Sequence, residues 1–249
     1  QVAFNMIVLY TSGESKQLVD FVWHTVKKNT IIHISKGQIN AFQFTKNLKG
    51  YISLFTEDYL LKQINALPKN ELIRLFNAHL FSPIIQVPKD SNVVHYIELL
   101  FEEYNSQKED YNQENTYKSL HSIIFSKLER LKQYQTIHLK QSKQLNTFLD
   151  FKSLLDLHFK TSRNADFYAE KLNITYKHLN TICKATIAIT AKQFIDQFVV
   201  LEAKRLLINS EIKSTELAYS LGFEESTNFV KYFKKHTGFT PNKFKKYYL

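Results

Sequence analysis

The feature that most constrains the fold is a layout that occurs twice in the C-terminal part of the chain. Phe167-Tyr168-Ala169-Glu170-Lys171-Leu172 is followed by Asn173-Ile174-Thr175 and a helical run over 176–185. Glu216-Leu217-Ala218-Tyr219-Ser220-Leu221 is followed by Gly222-Phe223 and a helical run ending at His236. Each copy reads as a short helix, a tight turn and a second helix. Ala169 and Ala218 are small enough to let two helices cross closely, and Asn173 and Gly222 tolerate the left-handed backbone needed to leave a helix sharply. This is the arithmetic of a helix-turn-helix, whose second helix presents its outer face to a major groove.

Helical spacing gives the outer faces. In the first copy Leu179, Ile182 and Cys183 point inward, leaving Lys177, Asn180, Thr181 and Lys184 outside, with His178 beside them. In the second, Phe229, Tyr232 and Phe233 anchor the helix, leaving Thr227, Asn228, Lys231 and Lys235 outside, with Ser226 at its start. Asn suits adenine edges, Lys suits guanine or phosphate, and Thr suits bases or phosphate. These are the expected contacts to double-stranded DNA. An ordinary helical bundle with a polar surface would explain one such pattern equally well. Two copies joined by a long helix over 191–209 argue against it.

The charge points the same way. Lys and Arg number 33 against 23 Asp and Glu, a formal net charge of +10. Residues 1–150 hold 17 basic and 14 acidic side chains while residues 151–249 hold 16 and 9, so the shorter part carries the excess. Lys231, Lys234, Lys235, Lys243, Lys245 and Lys246 lie in a stretch, 231–249, that has no carboxylate side chain. Such a balance favours a polyanionic partner, nucleic acid ahead of a membrane surface. A single cysteine excludes an internal disulfide and a Cys-rich zinc module, and fits a cytoplasmic location. No apolar run approaches the roughly 18 residues of a membrane span, and the first residues lack a signal-peptide pattern, so no membrane association is expected. Because Gln1 falls in what reads as mid-strand, a longer native N-terminus is expected.

The front half is of another kind. Stretches 2–10, 18–26, 30–35, 39–44 and 50–55 are rich in Val, Ile, Phe and Tyr and are separated by turn-like pieces, which suggests a small antiparallel barrel or sandwich. Helical patterns follow at 57–65 and from Pro68 through Leu80, then a loop with Pro83 and Pro88, then helices over 92–105 and 116–134. In the last, Leu120, Ile123, Ile124, Phe125, Leu128 and Leu131 make an apolar stripe, with Lys127, Glu129, Arg130 and Lys132 mainly off it. The stripe serves either the unit's own core or a second copy of the chain. For the second case Leu120, Ile124, Leu128 and Leu131 are the candidate dimer residues. Polar residues 135–144 read as a linker, and short helices fill 145–249.

Residues 145–249 resemble the DNA-binding domain of AraC/XylS-type transcription regulators. The resemblance is carried by Leu201-Glu202-Ala203-Lys204-Arg205-Leu206-Leu207, then Glu216-Leu217-Ala218-Tyr219-Ser220-Leu221-Gly222-Phe223, Phe229, Lys231, Phe233-Lys234-Lys235 and His236-Thr237-Gly238-Phe239-Thr240-Pro241. Cys183 stands where the family usually has a large apolar residue, Ser214 where it often has Ile or Val, and Lys177 and Thr181 replace bulkier or arginine side chains. Residues 35–60, with Ser35-Lys36-Gly37-Gln38-Ile39-Asn40 where many members have a Pro-Gly-x-x-His turn, are similar to the same family's cupin-like sensor domain. The resemblance implies an α+β chain: a cupin-like β-barrel with a helical dimerisation segment over 1–134, a linker over 135–144, and an all-α double helix-turn-helix domain over 145–249. It further implies a homodimer and a small-molecule effector. Phe21, Trp23, Phe42, Phe44 and Tyr51 are the candidate pocket residues.

Other chemistry has less support. A catalytic cupin needs clustered His and carboxylate ligands. Here Asn40 replaces the turn histidine, and His24 and His33 lie on different strands, so no metal, cofactor or catalytic residue is expected. Cys183 reads as a small core residue. A cupin enzyme fused to a DNA-binding domain, and a constitutive binder whose barrel only dimerises, stand as the alternatives.

Overall fold

Strand β1, Asn5–Ser12, is buried along most of its length on both faces, so it must be covered on two sides. The computed structural model describes residues 3–56, 58–59, 82–106, 111–135 and 143–248. It divides the chain into two units, Gln1–Lys140 and Gln141–Leu249. In the first unit β1 pairs antiparallel with β4, Thr30–Ile34, and with β6, Lys49–Phe55, and β7, Ile84–Gln86, extends the sheet beyond β4. One face of this sheet, through Ile7, Leu9, Ile31, Phe55 and Ile85, packs on α1, Val93–Asn105, and α2, Gln113–Gln135. On the other face Met6, Val8, Tyr10, Ile32 and Ile34 meet Val19 and Val26 of a second sheet. That sheet has β2, Glu14–Val19, between β3, Val22–Lys27, and β5, Asn40–Phe42.

The expected cupin-like barrel is therefore two facing antiparallel sheets that do not close, since no ladder joins them among the described residues. The single strand expected over 18–26 is a hairpin that turns at Asp20 and Phe21, with φ of 45° and 69°. Asp20 holds this conformation while its carboxylate accepts from the Ile39 N–H at 3.1 Å and the Gln38 amide at 2.7 Å. Strand β7 lies in a stretch that reads as a loop, because Pro83 and Pro88 flank an edge strand instead of interrupting one. The helices expected over 57–65 and 68–80 lie outside the described residues, apart from Asp58 and Tyr59.

The stripe on α2 is spent inside the unit. Ile124 and Leu128 are buried in its core and Leu120 and Leu131 pack against it, which corrects the expectation of a free dimer seam at these residues. Glu129 and Lys132, expected off the stripe, are also buried. A buried ammonium is costly unless it is hydrogen-bonded, and Lys132 donates to His33 Nε2 at 2.9 Å. His33 must then be neutral, with its proton on Nδ1. Burial first, and the Lys132 ammonium second, hold its pKa well below the usual imidazole value, against an opposing pull from the Pro83 carbonyl.

The second unit is helical: α3, Lys143–His158; α4, Ala165–Lys171; α5, Tyr176–Ile187; α6, Ala191–Asn209; α7, Ser214–Ser220; α8, Ser226–Thr237; α9, Pro241–Tyr248. Helix α6 packs against α4, α5, α7, α8 and α9. Its first half meets rings from α3, with Phe194 5.1 Å from Phe148 and 5.8 Å from Phe151. Beside its second half, the Lys204 ammonium lies 5.5 Å from the centre of the Phe244 ring of α9, which is itself 5.5 Å from Phe233 of α8.

Two outcomes follow for stability. His33 stays neutral in the fold while the unfolded chain takes up a proton below the ordinary value of about 6.5. The native state's advantage is thus complete above that pH and declines as pH falls below it. Denaturant midpoints of the N-terminal unit should fall from pH 7.5 to 5.5, and His33→Gln should flatten part of that slope; an equal slope in both would show that His121 and His24, whose pKa values are also lowered by burial, carry it without His33. At Gly222, φ is 75° and a Cβ would overlap the Lys160 carbonyl oxygen. Gly222→Ala should cost the C-terminal unit about 2 kcal/mol or more, lowering its melting temperature by roughly 10 °C. Asn173→Ala, at a turn with φ of 54°, should cost about 1 kcal/mol, the left-handed penalty alone.

Candidate nucleic-acid interface

The two recognition helices are held by the same local devices. In the first turn the Ile174 N–H donates to the Ala169 carbonyl at 3.0 Å and the Asn173 N–H to the Glu170 carbonyl at 2.9 Å. In the second the Phe223 N–H donates to Ala218 at 3.0 Å and the Gly222 N–H to Tyr219 at 2.9 Å. Asn173 and Gly222 both adopt the left-handed conformation, as their residue types suggest. Both recognition helices also end on left-handed residues, Ala188 after α5 and Gly238 after α8. The starts differ. Thr175 caps α5 by accepting from the His178 N–H at 3.1 Å, a device worth about 1 kcal/mol, whereas α8 begins at Glu225 without a side-chain cap.

Lys177, His178, Thr181 and Lys184 are exposed on α5, and Thr227, Asn228, Lys231 and Lys235 on α8; Ser226 is half-buried. Two hydroxyls are engaged locally: Thr181 donates to the Lys177 carbonyl at 3.0 Å and Thr227 to Glu225 Oε2 at 3.1 Å. Asn180 is the exception. Its Oδ1 accepts from the Ala191 N–H at 2.9 Å, so it caps the start of α6 and is half-buried. The expectation that it reads a base edge is corrected. Aligned from the helix starts, Thr175 on Glu225, the copies place Asn180 on half-buried Val230, Thr181 on Lys231 and Lys177 on Thr227, one residue out of step with the pairing of Asn173 and Gly222 in the turns.

Electrostatically the copies are unequal. Exposed Glu224 and Glu225 stand at the start of α8, and no acidic residue lies in the first turn of α5. Inside, Cys183 is fully buried and its thiol is pushed up to about 12 by burial, so it is a packing residue with little thiolate at neutral pH.

Sequence reasoning passed over the residues that tie the helices together. Arg163, in the turn before α4, donates to the Leu221 and Gly222 carbonyls, both at 3.0 Å. Tyr232, on the inner side of α8, donates to Asp196 Oδ1 of α6 at 2.8 Å, and burial followed by the Asp196 charge drives its pKa up. Neither belongs to a local pattern; each acts on backbone or side chains far along the chain.

The five candidate pocket residues of the N-terminal unit do not converge. Trp23 and Phe42, with Lys16 and Gln43, line an open depression of about 450 Å³. Phe44 is exposed and stacks on Phe42 at 5.6 Å. Phe21 sits in the β2–β3 turn, and Tyr51 belongs to the other sheet, where its ring lies 4.8 Å from Phe101. His24 and His33 lie on β3 and β4, and among the described residues no three His, Cys, Asp or Glu side chains form a metal-ligand group.

Comparison with known proteins adds to this geometry. A family model described as a helix-turn-helix domain matches residues 168–247. The HTH-type transcriptional activator RhaS of Escherichia coli O139:H28 is 26% identical over 246 residues, covering 96% of this chain and 84% of that protein. The Msm operon regulatory protein of Streptococcus mutans serotype c is 30% identical over 95 residues, 38% of this chain and 34% of that protein. Among solved structures, ToxT of Vibrio cholerae with an unsaturated fatty acid bound matches with a TM-score of 0.52 at 13% identity, covering 98% of this chain and 87% of that one. ToxT bound to (E)-4-(8-methylnaphthalen-1-yl)but-3-enoic acid matches with a TM-score of 0.54 at 14% identity, covering 98% and 90%. At these identities the ToxT structures speak for the α+β fold alone. The duplicated turn geometry, the matched helix-turn-helix domain and the likeness to RhaS over nearly the whole chain agree: the chain carries a helix-turn-helix domain over residues 168–247 and is similar to AraC-type transcription regulators.

Proposed function

We propose that α5 and α8 read a specific duplex from two successive major grooves. Lys177, His178, Thr181 and Lys184 would serve one groove, and Ser226, Thr227, Asn228, Lys231 and Lys235 the next. The observation that carries this reading is that both helices present exposed, lysine-bearing faces from one compact unit. Helix α6 has 19 residues and so spans about 28 Å, near the roughly 34 Å between successive grooves on one side of DNA. The cytoplasm, where such DNA lies, is the proposed location; among the described residues no helix is long and apolar enough to cross a membrane.

The N-terminal unit is proposed to sense a small molecule. The depression beside Trp23 and Phe42 has the size of a small-ligand site, and Lys16 at its edge suits an acid group. Support comes from the ToxT structure that carries an unsaturated fatty acid. Exposed Phe101 and Tyr104 on α1 offer a surface for the proposed homodimer in place of the α2 stripe. The relatives bear the names of transcription regulators, which favours a regulator over a cupin enzyme fused to a DNA-binding domain.

Duplexes selected from a random pool by the purified chain test the first part. Affinity should fall steeply with salt, each phosphate contact adding about 0.9 to the log–log slope. Lys231→Ala should cost about 1–3 kcal/mol on the selected duplex and relax preference at a few base pairs, while Lys246→Ala weakens all duplexes alike. Equal losses on selected and random DNA for both would show that the reading face lies elsewhere. For the sensor, Trp23 is the chain's single tryptophan, so its emission should change on titration with an unsaturated fatty acid and Lys16→Ala should weaken the effect at least about fivefold. Unchanged emission would move the effector site elsewhere or leave a constitutive binder.

A further inference from the structure

The two recognition helices are connected by two separate routes. The first runs through α6: Asn180 of α5 caps its first residue, and Tyr232 of α8 bonds Asp196, which is also paired with Lys192 one turn earlier. The second bypasses α6. Arg163 places Nη1 on the Leu221 carbonyl and Nη2 on the Gly222 carbonyl, each at 3.0 Å, with its guanidinium carbon 3.9 Å from the centre of the Phe223 ring. Phe223 in turn lies 5.3 Å from both Phe229 and Tyr232 of α8. On the other side, Tyr168 of α4 donates to the Ser162 carbonyl at 2.7 Å, which fixes the Arg163 turn to the first helix-turn-helix. Close packing of Gly222 on the Lys160 carbonyl presses the same two turns together.

These contacts close a ring: α5, the start of α6, α8, the Gly222-Phe223 turn, Arg163, α4, and back to α5. A spacer helix alone leaves each end free to rotate about its side-chain contacts. A closed ring removes that freedom. The guanidinium suits the task because its planar fork engages two carbonyls in fixed geometry, which a lysine ammonium cannot do.

We infer that Arg163 is a positioning residue for DNA recognition, whose fork sets the rotational phase between α5 and α8 and so makes the protein selective for the spacing between its two half-sites. This rests on the two-groove reading above. The test measures binding of the full chain to a duplex it has selected from a random pool, and to the same duplex with one base pair inserted between the half-sites. The insertion turns the second half-site by about 35° and moves it by about 3.4 Å. Wild type should lose about tenfold or more on the inserted duplex, while Arg163→Ala and Arg163→Lys should bind the parent duplex more weakly and lose only about threefold or less on insertion. A merely stabilising residue would not change that ratio, so helicity and melting are recorded for each variant. A folded variant that keeps the wild-type ratio overturns the inference, and so does loss of fold in both variants, which would make Arg163 a stability residue only. If the full chain selects no duplex, the DNA reading itself falls and this inference with it.

Discussion

A helix that carries apolar side chains around most of its circumference can persist in water only if something encloses it. Helix α6 is such a helix: Phe194, Ile195, Phe198, Val199, Val200, Ala203 and Leu207 are all buried, on more than one face. The two helix-turn-helix groups are its enclosure. They are therefore not modules on a tether, since removing either would expose one side of the helix that supports the other. The same requirement decides which residues can meet DNA. Leu179, Ile182 and Cys183 on α5, and Phe229 and Phe233 on α8, are committed to the interior, and only the opposite faces remain for a partner.

The N-terminal unit depends on a different constraint. Its central sheet is covered on both faces, so the run Met6-Ile7-Val8-Leu9-Tyr10 is continuously buried instead of alternating. Polar groups enclosed by such a sheet have to answer one another. Tyr10 donates to Gln17 Oε1 at 2.6 Å and Gln17 passes an amide N–H to Asn40 Oδ1 at 2.8 Å between the two sheets. On the helical side Lys132 reaches His33, and His121 Nδ1 lies 2.9 Å from the Tyr117 carbonyl with Ser53 within reach of its other nitrogen. The bonds from Lys132 to His33 and between His121 and Ser53 add to the apolar stripe in setting the register of α2 on the sheet. A slide by one turn would keep much of the apolar contact but break the bond from Lys132 to His33.

Much of the helical unit was legible because its punctuation is local. The long helix is bounded by Thr190 and Gln193, which form a capping box, and it runs over the residues that the apolar pattern predicts. The turns at Asn173 and Gly222 were legible for the same reason. What failed was long-range. The β2–β3 turn has no glycine or proline, and Asp20 adopts it because Gln38 and Ile39, on another strand connection, hold its carboxylate. Periodicity placed Lys132 outside the stripe, since a lysine at the stripe's margin reads as solvated until a histidine on a distant strand receives it. Asn180 looked like a base reader because its amide chemistry suits adenine. Only the neighbouring helix start reveals its use.

The two copies also differ where they face outward, and the pattern of difference carries meaning. Inward positions keep their character: Leu179 matches Phe229, Ile182 matches Tyr232, and Phe194 matches Phe244. Cys183 against Phe233 is the large departure, and it occurs in the copy where α3 brings the rings of Phe148 and Phe151 onto Phe194. Outward, lysine and threonine exchange places, Lys177 against Thr227 and Thr181 against Lys231. On the proposed reading, a cation near the start of one helix and mid-way along the other would not meet the same base step in both grooves. Glu224 and Glu225 add to this, because carboxylates at the start of α8 repel a phosphate there and favour an approach through Lys231 and Lys235 further along. On the proposed two-groove reading, the duplication yields two unlike readers on one support, and a duplex that satisfies both would need no inverted or direct symmetry within a single protein's footprint.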